Sequence, residues 1–450
     1  MVIHAFTQAC PARGDLGGRL HELLDRRLPI REIAWNSSHI EQPMSSQTPA
    51  SVNRSGGERA AGTFRSHSVS QSKHLPVDRI IDNSGPNQIR ERFSTFCNVL
   101  IDQHAAHAIV EPQERSSGFW FGGGNLVEAS DGSLYVVGRY RNAGDSRTGV
   151  AAGTRGLELA IFRSSDKGAT FEKVVSWEKA ELNSPSGDVL SIEGSCLRFV
   201  DGGVELFVST EKTGVAYPDV VGSFQKPGAG VWTIDVLRAA SIEGLKTATV
   251  DAAFSSDCPE HLHVKDPFYW HTAHGDRLGY CSHPFGWSSS NTGVVDIPGT
   301  GTMAGVPQHS VFPRGSTWDV AMTRGTCILP IPKVGAFAAD DYALLFYCGG
   351  ECLRPIDEHA TAVKRPRGYS CEEIGGAAFF VNDDVSSAER LSSLLPMFIS
   401  PRGSGSSRYV DVLATADGFY ATWQQSQDDF SQPLVLNFVS SAQAGSVLSE

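Results

Sequence analysis

The chain has 450 residues, 40% hydrophobic and 20% charged, the balance of an ordinary globular protein with room for one large all-β domain or two to three smaller ones. Its formal net charge of −12 argues against nucleic acid or an anionic membrane as the main partner, and no apolar run is long enough to span a bilayer. Nine cysteines, odd in number and irregular in spacing, suit reduced thiols better than a disulfide framework.

In chain order, residues 1–74 read as a disordered or poorly ordered extension. Residues 14–34 can form a short helix, but residues 44–74 are Ser-, Arg-, Gly- and Gln-rich and too poor in large apolar side chains to offset chain entropy. Arg26, Arg27 and Arg31 are followed by no apolar core, so no signal peptide is read and the expected compartment is the cytoplasm. The folded domain is expected to span residues 75–450. Within it, an apolar stretch meets a turn and then an alternating stretch five times, with turns at Asp131, Asp201, Gly275, Asp340 and Asp417, roughly 70 residues apart. Further apolar stretches follow, such as Val231–Leu237, Ala377–Val381 and Leu434–Val439. Inner strand, hairpin, second strand, loop and third strand is the run of a propeller blade. The expected fold is therefore all-β, a five-bladed β-propeller. Residues around Ser94–Val110 would supply the closing strand, or a sixth blade if they hide another hairpin. A large β-sandwich is the alternative.

This order assigns positions to faces. Inner-strand starts and the loops after second strands share one face, around the axis, where propeller ligands bind. Inner-strand starts supply Asn125, Glu193, Asp266, Arg408 and Asp411; second-strand exits supply Arg139, Arg141, Glu211, His283, Glu351 and Gln424–Gln425. Cleaving a glycosidic bond needs two carboxyl groups flanking it, one as acid and one as base or nucleophile. Glu193 and Asp266 are the leading pair, since each is followed by a Gly or Pro break, with Glu211 and Glu351 in reserve. Arg139, Arg141 and Arg408 can clamp a substrate carboxylate bidentately, and Glu211, His283 and Glu351 would line the same mouth. Each of these also has a plain reading as a solvated carboxylate or an ion-paired arginine.

No cofactor or metal is assigned. Strand alternation would put His261 and His263 on one face, but His274 falls at a hairpin turn on the far face, which makes a shared ion awkward. Cys348 and Cys352 lack a second close pair, and Gly122-Gly123-Gly124 lacks the Lys-Ser/Thr of a phosphate loop.

Ser164-Ser165-Asp166-Lys167-Gly168-Ala169-Thr170-Phe171 matches the Asp-box pattern S-x-D-x-G-x-T-(W/F), which marks β-hairpins of sialidase-type propellers. Asp166 can accept backbone amides across the turn, Gly168 can take positive φ and Phe171 can tuck between strands. Residues 119–177 as a whole resemble the first blade of the bacterial sialidase family. By that resemblance Asp145 falls where the family holds its acid/base Asp, and Tyr409 or Tyr369 would stand for its nucleophilic Tyr. The family's Arg-Ile-Pro is replaced here by Gly123-Gly124-Asn125, and only one such box is evident. Lys265-Asp266-Pro267 resembles the Arg-Asp-Pro of five-bladed invertase-like and arabinanase-like glycosidases, where the Asp stabilises the transition state. The resemblance implies a glycoside hydrolase acting on an oligosaccharide, including one that bears a carboxylate, with no nucleic-acid or membrane partner. Two other readings stay open: a propeller that only binds carbohydrate or protein, and a polysaccharide lyase with His283 or Tyr409 as base.

Overall fold

The first described element is a helix, α1 (Ser84–Leu100), whose Phe93, Phe96, Cys97 and Leu100 recur at helical spacing and are fully buried. In the computed structural model the described residues are 84–142, 156–225, 227–285, 289–297, 306–351 and 373–449, all within one compact unit. The expected extension, its boundary at residue 74, the helix at 14–34, Asp145, Cys352 and Tyr369 lie outside them.

After α1 comes a short strand, β1 (His107–Val110). The strand expected around Ser94–Val110 is thus confined to its last four residues, because the 3–4 spacing of the apolar side chains before it makes a helix. Five antiparallel meanders follow. The first holds β2 (Trp120–Gly122), β3 (Leu126–Glu128), β4 (Leu134–Arg141), β5 (Glu158–Ser164) and β6 (Glu172–Glu178). The second is β7 (Val189–Val200), β8 (Gly203–Lys212), β9 (Val231–Ala239) and β10 (Asp251–Phe254), and the third β11 (His263–Thr272), β12 (Gly275–His283), β13 (Asn291–Ile297) and β14 (Gln308–Phe312). The fourth is β15 (Met322–Pro330), β16 (Tyr342–Gly350), β17 (Ile374–Val381) and β18 (Glu389–Arg390). The fifth, β19 (Ser407–Ala414), β20 (Gly418–Gln425) and β21 (Leu434–Ser440), takes β1 as its outermost strand, so the N-terminal strand completes the last sheet. A C-terminal helix, α2 (Ser441–Ser449), packs beside α1.

The innermost strands touch in the cycle β3, β7, β11, β15, β19 and back to β3, which closes a ring of five blades. The fold is an all-β, five-bladed propeller. Apolar side chains between neighbouring blades form the core: Leu197, Leu206 and Val208 with Val137 and Leu159, for example, and Tyr280 and Leu278 with Cys196 and Phe207. The first-to-second-strand turns are tight in four blades. In the fourth, residues 331–341 form a longer loop with a 3-10 turn at Gly335–Phe337, so Asp340 sits at its end rather than in a two-residue turn. Among the described residues no helix is long and apolar enough to cross a membrane.

The turn between β5 and β6 is held by its own side chains. Thr170 donates from its backbone N–H and its hydroxyl to the two Asp166 oxygens at 2.9 and 2.6 Å, and Gly168 N–H donates to Ser164 Oγ at 2.9 Å. Gly168 has φ 86°, a conformation that side chains resist, and Phe171 packs onto the core between the first and fifth blades.

Candidate active site at the axial mouth

Every inner strand is broken at the same level. The first blade splits into β2 and β3 at Gly123–Asn125, and β-bulges interrupt β7 between Ile192 and Ser195, β11 between Lys265 and Phe268, β15 between Gly325 and Cys327, and β19 between Arg408 and Asp411. A bulge adds an unpaired residue and re-aims its side chain, here onto the propeller axis. Glu193, Asp266 and Tyr409 occupy these positions, and Arg324 precedes the one in β15. Glu193 and Asp266 therefore lie inside their strands, not at the starts that the sequence suggested; alternation hides a bulge because it leaves no periodic trace. Asp266 and Tyr409 have φ 53° and 52°, left-handed values that cost about 1–3 kcal/mol for a non-glycine residue and cluster at functional sites.

These five breaks gather a dense set of charges. Arg139, on β4, places Nη2 3.5 Å from Glu193 Oε2 and 3.9 Å from Asp266 Oδ1, so one guanidinium lies against both carboxylates. Lys265 Nζ approaches the same pair, at 3.4 Å from Glu193 Oε2 and 4.0 Å from Asp266 Oδ2. The Tyr409 hydroxyl accepts from Arg139 at 3.4 Å and donates to Asp266 Oδ2 at 3.5 Å. Ser191 donates to Glu193 Oε1 at 3.0 Å, and Gly194 N–H donates to Asp266 Oδ1 at 2.9 Å. Two glycines are required by this crowding. A Cβ on Gly123 would stand 1.8 Å from an Arg139 nitrogen, and one on Gly194 would stand 2.5 Å from Asp266 Oδ1. In the first blade, then, the axial position is left open by Gly123 and filled by an arginine from the next strand.

A second group completes the mouth. Arg324 pairs with Glu373, and Arg408 lies 3.8 Å from the same carboxylate. Burial pushes the Glu373 carboxyl up, but Arg324, Arg408, Lys265 and Arg139 outweigh it and hold its pKa below the usual value. His283 donates through Nδ1 to the Ser289 carbonyl at 2.9 Å, which leaves Nε2 to accept from Arg324 at 3.4 Å. Burial, and then the cations Arg324 and Lys265, push the His283 pKa well down, so the imidazole is neutral. Burial, and then Asp266 and Glu373, raise the Tyr409 phenol well above its usual range. Arg408 donates to Gln424 at 2.8 Å and stacks over Trp120 with its carbon 5.0 Å from the ring centre; Arg139 and Arg141 lie over the same indole at 4.7 and 5.8 Å.

Glu193, Asp266, Arg139, Arg408 and His283 are thus brought together, with Arg141 at the edge through Trp120. Glu211 lies on β8 opposite Ser191, fully buried, with its carboxylate accepting from Gly230 N–H at 3.1 Å. Glu351 is half-buried just past β16. His261 and His263 do not share a strand face: His261 ends a 3-10 turn and stacks on His309 at 4.6 Å, while His263 opens β11 fully buried. Among the described residues no group of His, Cys, Asp or Glu has the arrangement of a metal site. Sequence reasoning missed Arg324, Glu373, Trp120 and the role of Lys265. Arg324 carries a readable signal, since Arg324-Gly325 repeats the charge-then-glycine step of Glu193-Gly194 on an inner strand. Glu373 and Trp120 carry none.

No protein-family model matches the sequence, and no curated protein matches it. Solved structures do. A structure of BT0996 in complex with RGII aligns over 78% of this chain and 95% of its own, with a TM-score of 0.53 and 10% identity. A second, described as a glycoside hydrolase, aligns over 77% of this chain and 94% of its own, with a TM-score of 0.51 and 11% identity. The α-L-arabinofuranosidase of Lactobacillus brevis aligns over 73% and 91%, with a TM-score of 0.47 and 10% identity. At such identities the likeness is one of fold.

Proposed function

We propose that the chain is a glycoside hydrolase of the propeller type, cleaving a glycosidic bond in an oligosaccharide at the axial mouth with Glu193 and Asp266 as the paired carboxyl groups. The observation that carries this reading is the meeting of those two carboxylates, from adjacent blades and 73 residues apart in sequence, on the single guanidinium of Arg139. One carboxyl protonates the leaving oxygen, and the other acts as base or nucleophile on the opposite side of the sugar. Tyr409, bonded to Asp266, fixes that carboxylate's direction. The likeness of the fold to a glycoside hydrolase supports the same reading.

The preferred sugar is proposed to carry a carboxylate. Arg139, Lys265, Arg324 and Arg408 face Glu193, Asp266 and Glu373, which leaves one positive charge in surplus at the mouth. The resemblance of the first blade to sialidases supports this choice, with Asp145 as an assisting acid. Elimination with Tyr409 as base is opposed by the raised phenol.

The test is turnover of sialyl-, uronate-, arabino- and xylo-oligosaccharides by the intact protein, followed by released reducing sugar and by absorbance of unsaturated product. Glu193→Gln and Asp266→Asn, tested separately, are expected to lower hydrolysis by about a hundred- to ten-thousand-fold. Asparagine keeps an acceptor for Gly194 and tolerates the left-handed backbone, so the fold should survive. Undiminished turnover in both variants would refute the assignment, and unsaturated product would replace it with a lyase.

A further inference from the structure

Beyond the charged mouth, the same face carries an aromatic pair that the proposed chemistry does not use. The loop from β8 to β9 contains a 3-10 turn, Asp219–Phe224, and the loop after β12 contains Phe285. Both loops follow second strands, on the mouth side of the two blades that supply Glu193 and Asp266. Phe224 and Phe285 approach with ring centres 4.6 Å apart, yet Phe224 is 59% exposed. An apolar ring left in water forgoes the stabilisation that covering it would bring.

The pair is held in place by its surroundings. Phe285 packs on a small core of Tyr217 and Val221 from the β8–β9 loop, Val231 at the start of β9 and Leu262 just before β11. Gln225 closes the loop: its amide donates to the carbonyls of Val215 at 3.0 Å and Ala229 at 3.2 Å, and its oxygen accepts from Tyr217 N–H at 3.1 Å. Beneath the pair, a chain of buried contacts links its loop to the carboxylates. The Phe285 carbonyl lies 3.2 Å from His263 Nε2, His263 meets Trp232 edge-on at 4.7 Å, and Lys265 lies over Trp232 at 5.6 Å before reaching Glu193.

We infer that Phe224, backed by Phe285, is a stacking platform for a sugar ring of an oligosaccharide whose neighbouring unit occupies the axial mouth. This rests on the reading of the mouth as a sugar site and deepens it: the substrate is a chain of several units that runs outward over the second and third blades. The apolar face of a pyranose or furanose stacks on an exposed ring, and a platform fixed before binding loses little entropy on binding. Its place on the mouth side of the two blades that supply Glu193 and Asp266 is what favours a sugar over a protein partner.

The experiment is isothermal titration of the intact protein and of Phe224→Ala with sialyl-, galacturono-, arabino- and xylo-oligosaccharides of one to six units. Phe224 is exposed, so its removal should leave the fold intact, and Phe224→Trp serves as the conservative control. For the series that binds, affinity should rise with chain length in the unaltered protein. Phe224→Ala should lose about tenfold for the longer members and nothing for the monosaccharide, and Phe224→Trp should retain the length effect. Equal affinities at every length, or no binding by any series, would overturn the platform. A change of oligomeric state in Phe224→Ala with sugar binding intact would overturn it too, in favour of a protein interface. Failure of the catalytic reading is separable: loss of the length effect in Phe224→Ala alone, with Glu193→Gln still fully active, leaves the platform standing and removes only the proposed chemistry.

Discussion

The two faces of the propeller are built from the same repeat and held by opposite means. On the hairpin face the interactions are exposed, whether within a turn or between blades: Asp166 binds Thr170 within one turn, Arg163 meets Asp131 of the same blade, and Lys167 meets Asp417 of the fifth blade at 2.6 Å in solvent. On the axial face they are long-range and dry. Arg139, Glu193, Lys265, Asp266 and Arg324 come from four blades and are each no more than 7% exposed. Exposed pairs add little stability, whereas buried charges are expensive unless all are satisfied together. The contrast separates what holds the ring from what the ring holds: the turns define the blades, and the mouth uses stability that they and the core supply.

Removing a member from each face sharpens the difference. Arg139→Met would leave Glu193 and Asp266 facing each other with only Lys265 between them; the expected loss is about 3–5 kcal/mol, read as a lower midpoint in urea unfolding. A loss no greater than that of a surface substitution would show that water reaches the cluster and that the mouth is not dry.

Asp411 gives a smaller effect with a definite sign. Its carboxylate accepts from Leu126 N–H at 2.7 Å, which ties the fifth blade to the first, and burial pushes its pKa from 3.8 up to about 7. Between these values the folded protein holds a proton that the unfolded chain has released, so this group's contribution to stability falls as pH rises from 3.8 through 7. Asp411→Asn keeps an acceptor for Leu126 and should therefore gain on the unaltered protein across that window. Parallel unfolding midpoints at all pH values would remove Asp411 as a titrating link.

The smallest effect is expected on the hairpin face. The Asp166 pKa is held down to about 2 by the bonds from Thr170 and Ser164, so its contribution is present above 3.8 and is lost as pH falls through 2. The stability difference between the unaltered protein and Asp166→Ala should be constant at neutral pH and shrink toward pH 2. A difference independent of pH would assign the turn's stability to Gly168 and Phe171 instead.

Much of this is legible in the sequence. Asp-Gly at three of the five turns, alternation on either side and the period between them point to five blades with a sixth left open, and the S-x-D-x-G-x-T-F turn falls between the third and fourth strands of the first. Glu193 and Asp266 were also singled out, although as strand starts. The longer loop before Asp340, the helix at Ser84–Leu100 and the burial of Glu211 were not anticipated.

The division has a physical cause. Turn residues act on backbone within four positions of themselves, so their chemistry is written in adjacent letters, and the sequence by itself marked the blades and put their number at five or six. The bulges, Arg324 against Glu373, and three guanidiniums over Trp120 depend on ring closure. That closure puts residues from blades one to five within a few ångströms of one axis, and only the tertiary structure decided which charges meet there.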